Sequence, residues 1–139
     1  MARKVMLVWM LLTVMLIGSI FPIGAIAAQP GDIMPLYDYA TITAAELSFS
    51  GTTAQCTGIV RTNTTASSIS MSLMLQQKNG SSWNTVASWS DSVIGGNLLD
   101  MYESRTVSSG TYRVKASITI CMPDGDYEYI TQYSNEVTK

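Results

Sequence analysis

Ile69, Met71, Leu73 and Leu75 alternate with Ser70, Ser72, Met74 and Gln76. A period of two puts the first set on one face of a β-strand and the second on the other. The same period recurs in Ala45, Leu47 and Phe49 against Glu46, Ser48 and Ser50, and in Cys56, Gly58 and Val60 within residues 54–61. Its longest run is Tyr112, Val114, Ala116, Ile118 and Ile120, set against Arg113, Lys115, Ser117 and Thr119. Asn79-Gly80 supplies the positive φ angles of a two-residue hairpin, so Trp83 to Ser90 is expected to pair antiparallel with the strand before it. A weaker strand is read around Met101, Glu103 and Arg105, and Pro123-Asp124-Gly125-Asp126 turns the chain into a closing strand from Tyr127 to Val137. No window after the first 28 residues repeats apolar side chains at helical spacing with helix-forming residues between them, and Ser, Thr and β-branched residues dominate. The expected fold class is all-β, an antiparallel sandwich of about seven short strands.

The first 28 residues follow a different rule. Arg3 and Lys4 precede an apolar run from Val5 to Phe21, which is followed by Gly24-Ala25-Ile26-Ala27-Ala28. This is the layout of a helical signal peptide over residues 1–27, with Ala25-Ile26-Ala27 as the cleavage site. The competing reading is an uncleaved anchor, since Val5 to Ala28 would just cross a hydrocarbon core of roughly 30 Å. Gly18, Ser19 and Pro22 interrupt that run, and a processing site follows it directly. The chain is therefore read as secreted and extracellular, without stable membrane insertion after cleavage. Residues 28–40, with Pro30, Gly31 and Pro35, read as an arm, and residues 41–139 as one β-sandwich domain.

Charge and composition narrow the function. The leader holds two of the eight basic residues and none of the ten acidic ones, leaving a net charge of −4 after cleavage. Such a surface repels phosphate backbones and anionic lipid heads, so nucleic acid is not an expected partner. The chain has no histidine, which removes the commonest general base and the commonest zinc ligand. A non-catalytic protein without a cofactor, acting through its surface on a protein or a glycan, is the leading expectation.

Four segments together, Cys56-Thr-Gly-Ile-Val60, Met71-Ser-Leu-Met-Leu-Gln-Gln77, Trp83-Asn-Thr-Val-Ala-Ser-Trp89-Ser and Ser109-Gly-Thr-Tyr-Arg-Val-Lys115, resemble a family of small, uncharacterised secreted proteins of Gram-positive bacteria. The resemblance covers nearly the whole region after the leader. It implies an exported, immunoglobulin-like β-sandwich and no known activity. Cys121 matches no pattern of that family.

Four sets of residues are candidates for chemistry. Cys56 and Cys121 are the only cysteines, and export favours a bridge. If their strands run the same way, however, the two residues differ in height by several residues at ~3.3 Å each, and alternation puts Cys121 on the polar face. A disulfide, two free thiols and an intermolecular bond all remain open. A lone thiol nucleophile lacks a histidine to activate it. Asp124, Asp126 and Glu128, at alternate positions, could offer oxygens to calcium, although a solvated Pro-Asp-Gly turn accounts for the first two. They are also the only acids a carboxylate hydrolase could recruit from this turn.

Tyr127, Tyr129 and Tyr133 share one face of the closing strand, with Glu128, Ile130 and Gln132 on the other. If the tyrosines lie outside, they form an aromatic ribbon for glycan or peptide. If inside, the commoner arrangement, they pack across the sheet. Trp83 and Trp89 share a face if their strand is regular, with Trp89 as a core anchor and Trp83 partly exposed beside the hairpin. The alternative function is thus a carbohydrate-binding module using Trp83, Tyr127, Tyr129 and Tyr133.

Overall fold

A computed structural model of the protein describes residues 36–139; the signal-peptide reading of 1–27 and the arm up to residue 35 lie outside the described residues. Among the described residues the regular elements are strands: β1 (Ala40–Ser50), β2 (Thr53–Thr62), β3 (Ser68–Asn79), β4 (Ser82–Ile94), β5 (Leu98–Thr106), β6 (Thr111–Cys121), β7 (Tyr127–Tyr133) and β8 (Val137–Thr138). They form two antiparallel sheets. One has the order β1-β2-β5, and the other β4-β3-β6-β7, with β8 also paired to β6. The all-β expectation holds, with one strand more than the approximate seven.

The extra strand comes from a break in the closing segment. Ser134 donates its backbone N–H to the Val114 carbonyl at 2.9 Å, but its hydroxyl, not a carbonyl, accepts the Val114 N–H at 2.8 Å. The side chain thus stands in for the ladder, and regular pairing resumes only at Val137, opposite Tyr112. A second adjustment occurs at the first hairpin. Asn79 pairs with Ser82, so the two-residue loop is Gly80-Ser81, and of these only Gly80 has a positive φ, 60°. The glycine alone provides the reversal expected of Asn79-Gly80.

The alternation read from the sequence sets the core. Val60 of β2, Ile69, Leu73 and Leu75 of β3, and Val114, Ala116 and Ile120 of β6 are fully enclosed. Trp89, Val93 and Phe49 pack around them. Each such aliphatic side chain contributes about 1.5–3 kcal/mol on leaving water. The sheets approach closely at Gly58, where a Cβ would stand 2.6 Å from Met71 Sδ and 2.9 Å from Leu73 Cδ1. At the base of β6, Tyr112 is buried, packs edge-on against Phe49 with ring centroids 5.8 Å apart, and donates its hydroxyl to the Ser108 carbonyl at 3.0 Å.

Residues 37–40 are fastened to β7. The Glu128 carboxylate accepts the backbone N–H groups of Asp38, Tyr39 and Ala40 at 2.7, 3.2 and 3.0 Å. The Tyr39 hydroxyl donates to Asp126 at 3.0 Å, and Gln132 Nε2 donates to the Tyr37 hydroxyl at 3.2 Å and to Thr43 Oγ1 at 2.7 Å. The last part of the arm is therefore docked across the edge between the two sheets, and β1 begins at Ala40.

Candidate binding face

The register of β4, β3, β6 and β7 in the five-stranded sheet lays their outward side chains in rows. Ser92, Ser70, Thr119 and Tyr129 stand side by side across β4, β3, β6 and β7, and Ser90, Ser72, Ser117 and Thr131 form the next row. Neighbours within a row are ~4.8 Å apart, and rows ~6.7 Å. The β4, β3 and β6 members of these two rows, Ser92, Ser70, Thr119, Ser90, Ser72 and Ser117, line a shallow concavity of about 520 Å³, with Met71 and Asp91 also at its wall. Ile94, Ser68, Cys121 and Tyr127 make the row beyond it on one side, and Ser88, Met74, Lys115 and Tyr133 the row on the other.

All three tyrosines of β7 face outward. Tyr127, Tyr129 and Tyr133 are 59%, 74% and 48% exposed, while Ile130 is buried. The commoner arrangement, with the rings inside, is therefore corrected. β7 is an edge strand, and its inner face must meet the start of β1 with Glu128 and Gln132 as well as fill the core with Ile130. The rings of Tyr127 and Tyr129 lie parallel within 10°, with centroids 6.2 Å apart, along the lip of the hydroxyl floor. Contact with the Cys121 thiol raises the Tyr127 pKa above its ordinary 10.0.

Trp83 and Trp89 do not share a face. Leu75 pairs with Ala87 but Gln76 pairs with Thr85, so Val86 is an extra residue in β4. A bulge of this kind turns everything before it to the opposite side. Trp89 opposes Leu73 and packs on the core, whereas Trp83 opposes Lys78 on the outer face. There it meets Arg113, which alternation along β6 by itself places facing water. The Arg113 guanidinium lies 4.2 Å from the centroid of Trp83 and 4.3 Å from that of Tyr133. Its Nε donates to Gln76 Oε1 at 2.9 Å. Lys78 Nζ stands 5.5 Å over the same indole and pairs with Glu136 at 2.9 Å. The four sequence-derived aromatics thus lie on one face in two groups: Tyr127 with Tyr129, and Trp83 with Tyr133 around Arg113.

The carboxylates of the last turn have other partners. Asp124 accepts the Asp126 backbone N–H at 3.1 Å, Asp126 accepts the Tyr39 hydroxyl, and Glu128 caps residues 38–40. The bond to Asp126 raises the Tyr39 pKa above its ordinary 10.0. No group of three metal-ligating side chains converges among the described residues. The oxygens of the three carboxylates hold a turn and a docked segment.

Both cysteines are free thiols. Cys56 faces the core from β2, opposite Leu47 and Glu103, and Cys121 faces outward from the far end of β6, opposite Ser68 and Tyr127. Burial, with the Glu103 charge second, pushes the Cys56 pKa from 9.0 to about 11.

No family model matches the chain, and no curated protein matches it. Among solved structures, wild-type OgpA from Akkermansia muciniphila is 11% identical with a TM-score of 0.36, over 75% of this chain and 31% of that one. Spo0M, a sporulation control protein from Bacillus subtilis, is 16% identical with a TM-score of 0.34, over 73% of this chain and 49% of that one. The chain therefore spans less than half the length of either, and likenesses this distant indicate no function.

Proposed function

We propose that the protein is an exported, non-catalytic module that binds glycan on the outer face of its five-stranded sheet. The observation that carries this reading is the exposed, parallel pair Tyr127 and Tyr129 at the lip of a floor of seryl and threonyl hydroxyls. An aromatic ring offers a flat apolar body to the C–H face of a sugar, and rows of hydroxyls exchange hydrogen bonds with its O–H groups at little desolvation cost. Export is supported by the leader-like residues 1–27. A non-catalytic role is supported by the missing histidine and by the engagement of Asp126 and Glu128 with the docked segment.

The fold is read further as immunoglobulin-like. Strands β1-β2-β5 face β4-β3-β6-β7, and Tyr112, at the start of the sixth strand, bonds back to the backbone four residues upstream, at Ser108, as in the tyrosine corner of such domains. A glycan array probed with the purified protein tests the function. Binding that is lost in Tyr129→Ala and Tyr127→Ala, with the fold intact by circular dichroism, is the expected result. Binding that survives both substitutions, or no binding to any glycan, refutes it.

A further inference from the structure

We infer that the glycan is an acidic one, whose carboxylate is read by Arg113; this rests on the glycan-binding reading above and adds the ligand's charge to it. Arg113 is fixed on three sides. Trp83 covers one face of the guanidinium and Tyr133 lies over it as well, at 4.2 and 4.3 Å, and Nε is held by Gln76, itself only 8% exposed. What remains for a ligand is the in-plane edge of terminal N–H donors. That edge matches the two oxygens of a carboxylate, and a pre-organised fork loses little entropy in binding one. Lys115 stands in the adjacent row, opposite Met74 and Tyr133.

Lys78, over the same indole, is neutralised by Glu136, but the charges of Arg113 and Lys115 are not paired among the described residues. Two such cations on an acidic chain form a local positive field against the overall charge. Asp38, Asp124, Asp126 and Glu128 gather instead at the opposite end of β7, around Tyr39, while Glu136 is engaged by Lys78 and Asp91 lies on β4 at the wall of the concavity. Glu128 and Tyr133 are separated by five residues, roughly 16 Å of strand. That exceeds a Debye length of about 8 Å at physiological ionic strength, so the acidic end does little to repel an anion at Arg113. The hydroxyl floor and the pair Tyr127 and Tyr129 continue from Arg113 along the same face, giving a polymer places to lie beyond its first charged unit.

The alternative role of the stack is purely structural, tying β4 to β7 through two cation–π contacts. Binding and stability together separate the two. Calorimetric titration with a galacturonate hexamer and with its methyl ester presents one sugar skeleton with and without charge. The acid is expected to bind at least tenfold tighter than the ester, and to weaken as salt rises from about 50 to about 500 mM. Arg113→Met keeps a stem between the two rings and removes the fork. It should bring the acid down to the level of the ester and keep the thermal midpoint within a few degrees. Equal affinity for acid and ester, or a salt-insensitive acid affinity unchanged in Arg113→Met, overturns the acidic-glycan inference and leaves a neutral-glycan face standing. No binding of either hexamer, together with no hit on the glycan array, brings down both readings.

Discussion

Glu128 is where one side chain holds the most backbone. Its carboxylate accepts three successive N–H groups, from Asp38, Tyr39 and Ala40, and so fixes the segment that leads into β1. Hydrogen bonds to a charged group contribute about 1.5–3 kcal/mol each where both partners leave water. Here Asp38 is exposed and Tyr39 half-buried, and only Ala40 is buried. Much of the loss in Glu128→Ala is therefore recovered by hydration of the freed N–H groups. The loss also saturates, because once the segment lifts off all three bonds go together. We expect a destabilisation of about 2 kcal/mol, near the net worth of two ordinary hydrogen bonds. In a domain of this size that lowers the thermal midpoint by roughly 8–16 °C. Glu128→Gln keeps one acceptor oxygen and should recover about half of it. Because Tyr39→Phe releases the same segment by removing the bond to Asp126, its cost should not add to that of Glu128→Ala. Thermal unfolding by circular dichroism measures the shift, and hydrogen exchange of amides 38–40 measures the release. A midpoint within 2 °C of wild type, with those amides still protected, would refute the latch.

Other substitutions bear on other parts of the fold. Gly58→Ala puts a methyl group where Met71 and Leu73 already stand, and should cost about 1–3 kcal/mol by denaturant titration; a neutral result contradicts the close approach of the sheets. Tyr112→Phe removes the bond to the Ser108 carbonyl without changing the ring packing, and should cost about 1 kcal/mol. Maleimide should modify Cys121 in the native protein and Cys56 only on unfolding, since Cys56 is buried and its thiol pushed up to about 11. The raised value also sets a direction for alkaline stability. Below pH 9 both the folded and unfolded states keep the Cys56 proton, whereas between 9.0 and about 11 only the folded state does. Stability is thus lost progressively across that window, and less of it should be lost in Cys56→Val.

The strands were legible because each is read locally. Alternation such as Ile69 to Leu75 needs no knowledge of a neighbour, and the inward face it names is the face that is buried. The faces of β4 and β7 were not legible, because both depend on pairing. Trp83 and Trp89 are an even number of residues apart, and only the mismatch of Leu75 with Ala87 and Gln76 with Thr85 reveals that Val86 separates their faces. On β7 three aromatic rings outweigh one isoleucine in any count of hydrophobicity. What decides the matter is that Glu128 and Gln132 have partners waiting on the first residues of the described chain. Arg113 is inconspicuous in the sequence for the same reason. As one of four polar residues on a water-facing strand side it is ordinary, and only the bulge that turns Trp83 outward and the exposure of Tyr133 give it its neighbours.

Nitrogen-15 chemical-shift mapping during titration with the galacturonate hexamer shows whether ligand is bound on the outer side of β4, β3, β6 and β7. The largest shifts should fall on Ser70, Ser72, Arg113, Ser117, Thr119 and Tyr129, with the Arg113 side-chain signal among them. Shifts confined to β1, β2 and β5, or none at saturating oligosaccharide, would place any binding elsewhere and contradict the account.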